Sequence, residues 1–590
     1  MPEYLAPGVY VEETSFRAKS IEGVGTSTTA FVGPTRRGPI GGMPEMVTSL
    51  PDFERLYGSL ENLAFGSPST LNYVAHAARA YFDNGGTRLY VMRTANGATH
   101  ASGRVRDGQG TATEDAHIRA RFPGAAYNGS VYFREAARPA TVRTLGTAPE
   151  GSLARITLGN AETLYLKHDG TWADAGANAL ALVDGGGNPL PPEAVPGGAG
   201  ATADLLGLAI DMVDADGYSQ SWEDLGYAPG HPRALGIVLA QNPSSRAAAL
   251  GNLIWADIGS GVSAFELRAA IVALAADASG RHVLTLSGGS DGSAPAAGAE
   301  TTAGTYAAAL AGLSTLEDIA IVAAPGSSAF ADAQAIQNAL IGHAERRRAY
   351  RIAVLDCAPA QTPGQMREAR GRIDSRYAAI YYPWVVVANP LARPGRDDIP
   401  REIALPPSGF VTGIYARNDS QRGVHKAPAN EVVTGALRFE TDVNFAQQEM
   451  LNPLGVNCLR YLNGRGNRIW GARLASSDPE WKYVSDRRYF NYLEASIDRG
   501  TQWAVFEPNG ERLWANVRQT IADFLYNEWK NGALLGTAPE QAYFVRCDRG
   551  TMTQNDLDNG RLVCLVGVAI VKPAEFVIFR IGQKTADAQS

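Results

Sequence analysis

Cysteine is scarce in this sequence. Its 590 residues hold only Cys357, Cys458, Cys547 and Cys564, and no two of them form a CxxC pair. That spacing removes the basis for a disulfide framework or a thiolate metal site, and the expectation is four reduced, buried thiols. Charge is also sparse: 19% charged residues and a net charge of −7 give neither the basic surface that nucleic acid requires nor an acidic tail. Long apolar runs are missing too. The most apolar stretch, YAAIYYPWVVVANP, is short and broken by Pro383, so no membrane insertion is expected. The opening MPEYLAPG lacks the basic start and apolar core of a secretory signal, which points to a chain made in the cytoplasm. Without a GxxxxGK[ST] loop or an HExxH pair, the expected cofactor list is empty.

Two segments approach known chemistry and fall short. Gly288-Gly-Ser-Asp-Gly292 fits GxSxG after the strand-like HVLTLS, but SAPAAGAETTAG follows where a nucleophile elbow needs an immediate helix. Ser290 therefore reads as a loop serine, with His282 and His343 as packed or surface histidines. In the second segment Asp214, Asp216, Gly217 and Glu223 occupy the third, fifth, sixth and twelfth positions of a calcium loop. Its first position is Met212, which has no hard oxygen ligand to offer. A solvated turn without metal is expected. The arginine run Glu345 to Arg351 ends a helical pattern, where cations suit the negative end of the dipole.

What is present is α/β patterning. A strand TTAFVG, a helix around TLNYVAHAARAYFDNGG and a strand RLYVMRT fill the first hundred residues; Leu71, Val74, Ala75, Ala78 and Phe82 recur at helical spacing before the stop Gly85-Gly86. From about Ala95 to Thr315 the composition turns to Ala, Gly, Thr and Asp, with loops such as DGGGNPLPPEAVPGGAGAT between short strands such as RITL and TLYLKH, as inserted, surface-exposed material would. From Asp318, strand and helix alternate through DIAIVAA, FADAQAIQNALIGHAERRR, YRIAVLDC, GQMREARGRID and AAIYYPWVVVA, the signature of a parallel sheet with crossover helices. A long amphipathic helix, ERLWANVRQTIADFLYNEWKNGALLG, carries Leu513, Val517, Ile521, Phe524 and Leu525 on one face. Two strands, AYFVRCD and RLVCLVGVAIV, come after it.

Both ends of the chain carry an orphan strand. Near the start Val9 and Val11 alternate with Tyr10 and Glu12 after the turn Pro7-Gly8, and near the end AEFVIFRI carries Phe576, Val577, Ile578 and Phe579. A bare apolar strand invites aggregation unless something pairs with it, and strand addition to a partner uses the same property productively. The acceptor expected for such strands is the pair carrying Tyr543, Phe544 and Val545 on one side and Leu562 and Val563 on the other. Ser15 to Thr28, about fourteen residues at roughly 3.3 Å each, spans about 45 Å. Its Gly23 and Gly25 suit a hinge.

Eight segments taken in order resemble contractile tail sheath proteins, as in phage tails, R-type pyocins and extracellular contractile injection systems: YLAPGVYVEE, FVGPTRRGP, RAYFDNGGTRLYVMR, SRYAAIYYPWVVV, PPSGFVTGIYARNDSQRGVHKAPAN, VNCLRYLNGRGNRIWGAR, VFEPNGERLW and GVAIVKPAEFVIFRIGQK. RFPGAAYNGS, SWEDLGYAPGHPRAL and the stretch from LSGGSDG to YAAALAGL look like the insertion domain of larger sheath proteins. The resemblance implies an α/β fold, α+β overall, with a core built from both chain ends and an outer β-rich or α+β insertion. The domains are then an N-terminal donor arm and hinge over 1–28, core over 29–95, insertion over 96–317, core over 318–570 and a C-terminal donor arm over 571–590. It implies a non-enzymatic subunit that polymerises with itself as six-fold rings around an inner tube protein, on a baseplate and under a tail-terminator or cap, with sister sheath proteins as further candidates. Such a subunit contacts no nucleic acid directly. It is assembled in the bacterial cytoplasm as part of a phage tail or a released contractile particle. By the same analogy the tube-facing surface is the polar face of the helix ending in NEWKNG, with Asn527, Glu528, Lys530 and Asn531 as candidates.

Overall fold

A computed structural model describes residues 20–65, 69–184 and 186–580. The fold is α/β, and its centre is a nine-stranded sheet. Across that sheet run Glu431–Val432, Gly466–Ile469, Val456–Leu462, Ala378–Tyr382, Ile352–Asp356, Ile321–Ala323, Thr29–Gly33, Leu89–Arg93 and Met46–Val47. The six strands from Val456–Leu462 to Leu89–Arg93 are parallel. Thr29–Gly33 lies between Ile321–Ala323 and Leu89–Arg93, so residues almost three hundred positions apart share a ladder.

The inner strands are apolar on both faces because both are covered. Phe31, Val91, Ile321, Val354 and Tyr381 face one apolar layer, which includes the helices Tyr73–Asp83 and Pro407–Arg422. Val32, Met92, Val322, Leu355 and Ile380 face another, supplied by Tyr306–Leu313 and Ala333–Glu345. Asn72 caps the first of these helices through its side-chain oxygen on the Ala75 N–H, and Gly85, at φ +99°, follows its end. Glycine lets two helices touch: a Cβ on Gly409 would stand 2.6 Å from the Cα of Ala77, and one on Gly413 would strike the Tyr81 carbonyl oxygen.

The inserted region has its own apolar core. Its main sheet is antiparallel, ordered His282–Leu286, Gly129–Pro139, Ala201–Val213, Leu153–Leu158, Ala161–His168 and Thr171–Ala173, with Ser219–Leu225 also on Ala201–Val213. Two expectations need correction here. The Tyr306–Leu313 helix, placed with the insertion by sequence, buries Tyr306, Ala309, Leu310 and Leu313 against the central sheet. AAIYYPWVVVA, read as one strand, is two: Ala378–Tyr382 joins the central sheet, whereas Val385–Ala388 pairs with Glu402–Leu405 and Ala436–Phe439. Pro383, which has no N–H to donate to a ladder, marks the change of sheet.

Candidate functional site

The described segments nearest the two chain ends both meet the C-terminal part of the molecule. The Glu511–Lys530 helix buries Leu513, Val517, Ile521, Phe524 and Leu525 in a cluster that also holds Tyr489 and Leu493 of the Val484–Gly500 helix. Ile21 belongs to the same cluster. Packed beside it is a two-stranded antiparallel sheet of Tyr543–Arg546 and Leu565–Val568. Tyr543 and Val545 turn toward the cluster, while Phe544 is 52% exposed with its ring over Gly567, where a Cβ would collide with it. Tyr543–Arg546 has no second strand partner among the described residues. The strand expected over RLVCLVGVAIV is shorter: Leu562 and Val563 precede it as partly buried side chains on the cluster.

After this hairpin the chain runs without helix or strand through residues 571–580. Phe576, Val577, Ile578 and Phe579 are 69 to 83% exposed, an apolar run with no cover. Just before it, Glu575 is held to the body. Its carboxylate accepts from Arg473 Nε and Nη2, each at 2.7 Å, from Asn452 Nδ2 at 2.8 Å and from the Tyr483 hydroxyl at 2.9 Å, with Lys482 Nζ at 3.4 Å. Partial burial opposes its charge, but these donors outweigh that and hold the carboxyl down at about 2. Val9, Tyr10, Val11 and Glu12 lie outside the described residues.

Around Gly23 and Gly25, the expected hinge, the chain makes several contacts with the body. Ile21 is buried against Gly500, and a Cβ on Gly23 would strike the Tyr492 hydroxyl. The Val24 N–H donates to Ser496 Oγ at 3.1 Å, and Thr26 Oγ1 donates to Asp419 Oδ2 at 2.6 Å. Arg488 joins Asp419 at 2.5 and 2.8 Å and also donates to the Thr26 carbonyl oxygen. In this structure the segment from Ile21 to Thr26 is thus held to the body, with open space around Gly25.

Among the tube-facing candidates, Asn527, Lys530 and Asn531 are exposed, whereas Glu528 is already used. It accepts from the hydroxyls of Tyr489 and Tyr492, each at 3.0 Å. Burial, and then the Glu528 charge, push both phenols above their ordinary value.

The chemical motifs are absorbed by structure. Ser290 Oγ accepts the Gly292 N–H at 3.0 Å within its own turn. His282 Nδ1 lies 3.1 Å from the Leu274 carbonyl oxygen, and His343 Nε2 lies 2.5 Å from Arg351 Nη1. The calcium-like turn is not solvated as expected. Asp214 accepts from Arg37 at 2.8 Å with both side chains buried, and Asp216 takes the Arg36 guanidinium and the Ser59 hydroxyl. These arginines of FVGPTRRGP join the core to the insertion, helped by Asp291, which accepts from the N–H groups of Ala64 and Ala125. Of the arginine run, Arg346 reaches Ser314 and Glu300, Arg348 reaches Asp498, and Arg351 is buried on the Leu313 carbonyl oxygen. No group of three or more potential metal-ligating side chains occurs among the described residues, and no described helix is long and apolar enough to cross a membrane.

The site is thus a hairpin with one unpaired edge among the described residues, followed in the chain by a bare apolar run at 576–579. Residues 299–473 match the model of the phage tail sheath protein central domain, and residues 476–584 match that of the phage tail sheath C-terminal domain. Over these two regions, just under half of its length, the chain is similar to the contractile tail sheath family of structural proteins. A putative prophage major tail sheath protein of Pseudomonas aeruginosa (strain UCBPP-PA14) is 26% identical over 267 residues, covering 44% of this chain and 64% of the relative. The tail sheath protein of Enterobacteria phage T4 is 25% identical over 171 residues, covering 28% of this chain and 25% of the relative. The matched stretches thus span less than two thirds of either relative. Among solved structures, the anti-feeding prophage helical sheath in its contracted state has a TM-score of 0.53 at 20% identity, covering 98% of this chain and 99% of the other. The PVC sheath complex of an extracellular contractile injection system, also contracted, has a TM-score of 0.52 at 20% identity, covering 99% of both chains. Those two likenesses concern the fold.

Proposed function

We propose that this chain is the repeating subunit of a contractile tail sheath. Copies stack as six-fold rings around an inner tube, on a baseplate and under a terminator or cap, in a metastable extended state. A trigger at the baseplate releases contraction, which drives the tube through a target envelope. The terminal strands of each copy add to the Tyr543–Arg546 and Leu565–Val568 hairpin of neighbouring copies. The particle is assembled in the cytoplasm, as a phage tail or a releasable injection device.

The observation that carries this reading is the bare apolar run 576–579, which follows in the chain a hairpin with an open strand edge. About five ladder bonds at roughly 1 kcal/mol each, with two or three apolar side chains at about 1.5 to 3 kcal/mol each, make a donated strand worth several kcal/mol before ordering entropy. Breaking every such joint during contraction would be prohibitive. Rigid-body rotation with the strands kept paired is the economical path, and the drive comes from better burial between contracted subunits.

The test is electron microscopy of the assembled protein, with three variants beside it. The full chain forms hollow cylinders. A chain lacking residues 1–13, a chain ending at Glu575 and the Phe579→Asp variant each stay folded and fail to build a contractile sheath. Normal contractile cylinders from either truncation refute strand exchange at that end.

A further inference from the structure

One arm root is tied just ahead of the Val484–Gly500 helix and the other along it. At the start of Val484–Gly500, Tyr483 and the neighbouring Lys482 and Arg473 hold Glu575. Farther along it, Arg488, Ser496 and Gly500 hold Thr26, Val24 and Ile21. At about 1.5 Å per residue, the Thr26 tie lies roughly 8 Å and the Ile21 tie roughly 25 Å along this strut from Tyr483. The strut is itself fixed: the buried Asn491 side chain donates to the Arg351 carbonyl oxygen at the edge of the core, and Asp498 binds Arg348. Arg473 is equally built in, since its N–H donates to Asn457 Oδ1 and the Asn457 amide donates back to the Arg473 carbonyl oxygen.

Resting on the strand-exchange reading above, we infer that Glu575 is the positioning residue of the C-terminal arm. Its clamp on Arg473, Asn452 and Tyr483 fixes where Phe576–Phe579 leaves the subunit for a second copy of this chain, at a distance from the N-terminal arm root set by the Val484–Gly500 helix. Without the clamp, the last firm backbone tie before the arm is Ala569, whose N–H donates to the Ala542 carbonyl oxygen. Six more residues would then swing free, adding about 20 Å of reach. A longer tether lowers the effective concentration of the strand at its acceptor, and every joint of a ring feels the loss. Residue 575 is a carboxylate among five donors, so reversing its charge sets like charges against each other and throws the arm off.

The experiment compares the full chain with Glu575→Arg, Glu575→Gln, Arg473→Glu and the Glu575→Arg/Arg473→Glu double variant. The rotational mobility of a spin label at residue 577 in dilute, unassembled protein gives one readout, and the concentration needed for sheath assembly gives the other. In Glu575→Arg the label's motion speeds up several-fold while hydrogen exchange over residues 484–500 stays protected, and the assembly threshold rises about tenfold or more. The double variant brings the threshold back to within about threefold of the unaltered chain. Glu575→Gln, which keeps the shape without the charge, falls between; it stands in for the reversal if that variant does not fold. Unchanged label mobility or an unchanged threshold in both Glu575 variants overturns the inference, as does a double variant that folds but is not rescued. If the Glu575 variants assemble normally while the chain ending at Glu575 does not, the clamp fails and strand exchange stands. If the chain ending at Glu575 also builds a normal sheath, strand exchange itself is refuted.

Discussion

The central sheet and the C-terminal hairpin are made of the same kinds of residue and meet opposite fates. Thr29–Gly33, Ile352–Asp356 and Ala378–Tyr382 are buried at every position, with a ladder partner on each side and helices over each face. In Tyr543–Arg546 and Leu565–Val568 no position is fully buried, and Phe544 and Leu565 are half exposed. An apolar strand states a demand for cover without saying which chain provides it. In the sheet the demand is met within the subunit; at the hairpin and along Phe576–Phe579 it is left open. Substitutions in the first region should therefore act on folding, and substitutions in the second on assembly.

The largest effect is expected where the core is tightest. Gly413→Leu drives a side chain into the Tyr81 carbonyl oxygen between two helices that cover the sheet. The cost is several kcal/mol, roughly 4 or more, and soluble folded protein should fall sharply in expression trials and circular dichroism. Next comes the joint between core and insertion. Asp214→Asn leaves the Arg37 guanidinium buried without its countercharge. The expected loss is about 3 kcal/mol in denaturant unfolding, with the insertion becoming the first region cut in limited proteolysis.

A third test uses pH. Asp356 is fully buried at the end of a core strand and accepts the Ser408 N–H and hydroxyl at 2.7 and 2.8 Å. Burial, only partly offset by those bonds, pushes its carboxyl up to about 7. The folded state thus holds a proton that the unfolded state releases near its ordinary value of 3.8. Its stabilising contribution is full below about pH 4, declines as pH rises toward 7 and is gone above that. Asp356→Asn should flatten this slope by about 2 to 4 kcal/mol across the window, read from urea midpoints at pH 4 and pH 8. Assembly at fixed stability should not respond.

Much of the sheet side of this contrast was legible in the sequence. The alternation after Asp318, the stop at Gly85-Gly86 and the apolar stripe on Glu511–Lys530 are local patterns, and local patterns survive into structure. The fixtures of the candidate site were not. Arg37 and Asp214 are 177 residues apart, and Arg473 and Glu575 are 102 apart, so no window of sequence holds both partners. Gly23 reads as a hinge position because glycine is permissive, and nothing local shows that the Tyr492 hydroxyl packs against its bare Cα. Glu528 looked like surface on a helix face and is bound by two tyrosines from another helix. The exposed apolar segments could be recognised only as demands, because no cover for them lies among the described residues.

The smallest expected effect has the opposite sign. Phe506, in the VFEPNG loop, is fully exposed and sits at φ +67°, in the left-handed region that a bulky side chain pays to occupy. That conformation costs about 1 to 3 kcal/mol, and full exposure means no burial to set against it. Glycine at this position removes the strain but makes the unfolded chain looser by roughly 0.5 to 1 kcal/mol. Phe506→Gly should therefore leave the subunit unchanged or more stable, by up to about 1 kcal/mol in urea titration. A clear loss instead would mean that the ring packs within its own subunit, and the division between regions that fold and regions that assemble would have to be redrawn around this loop.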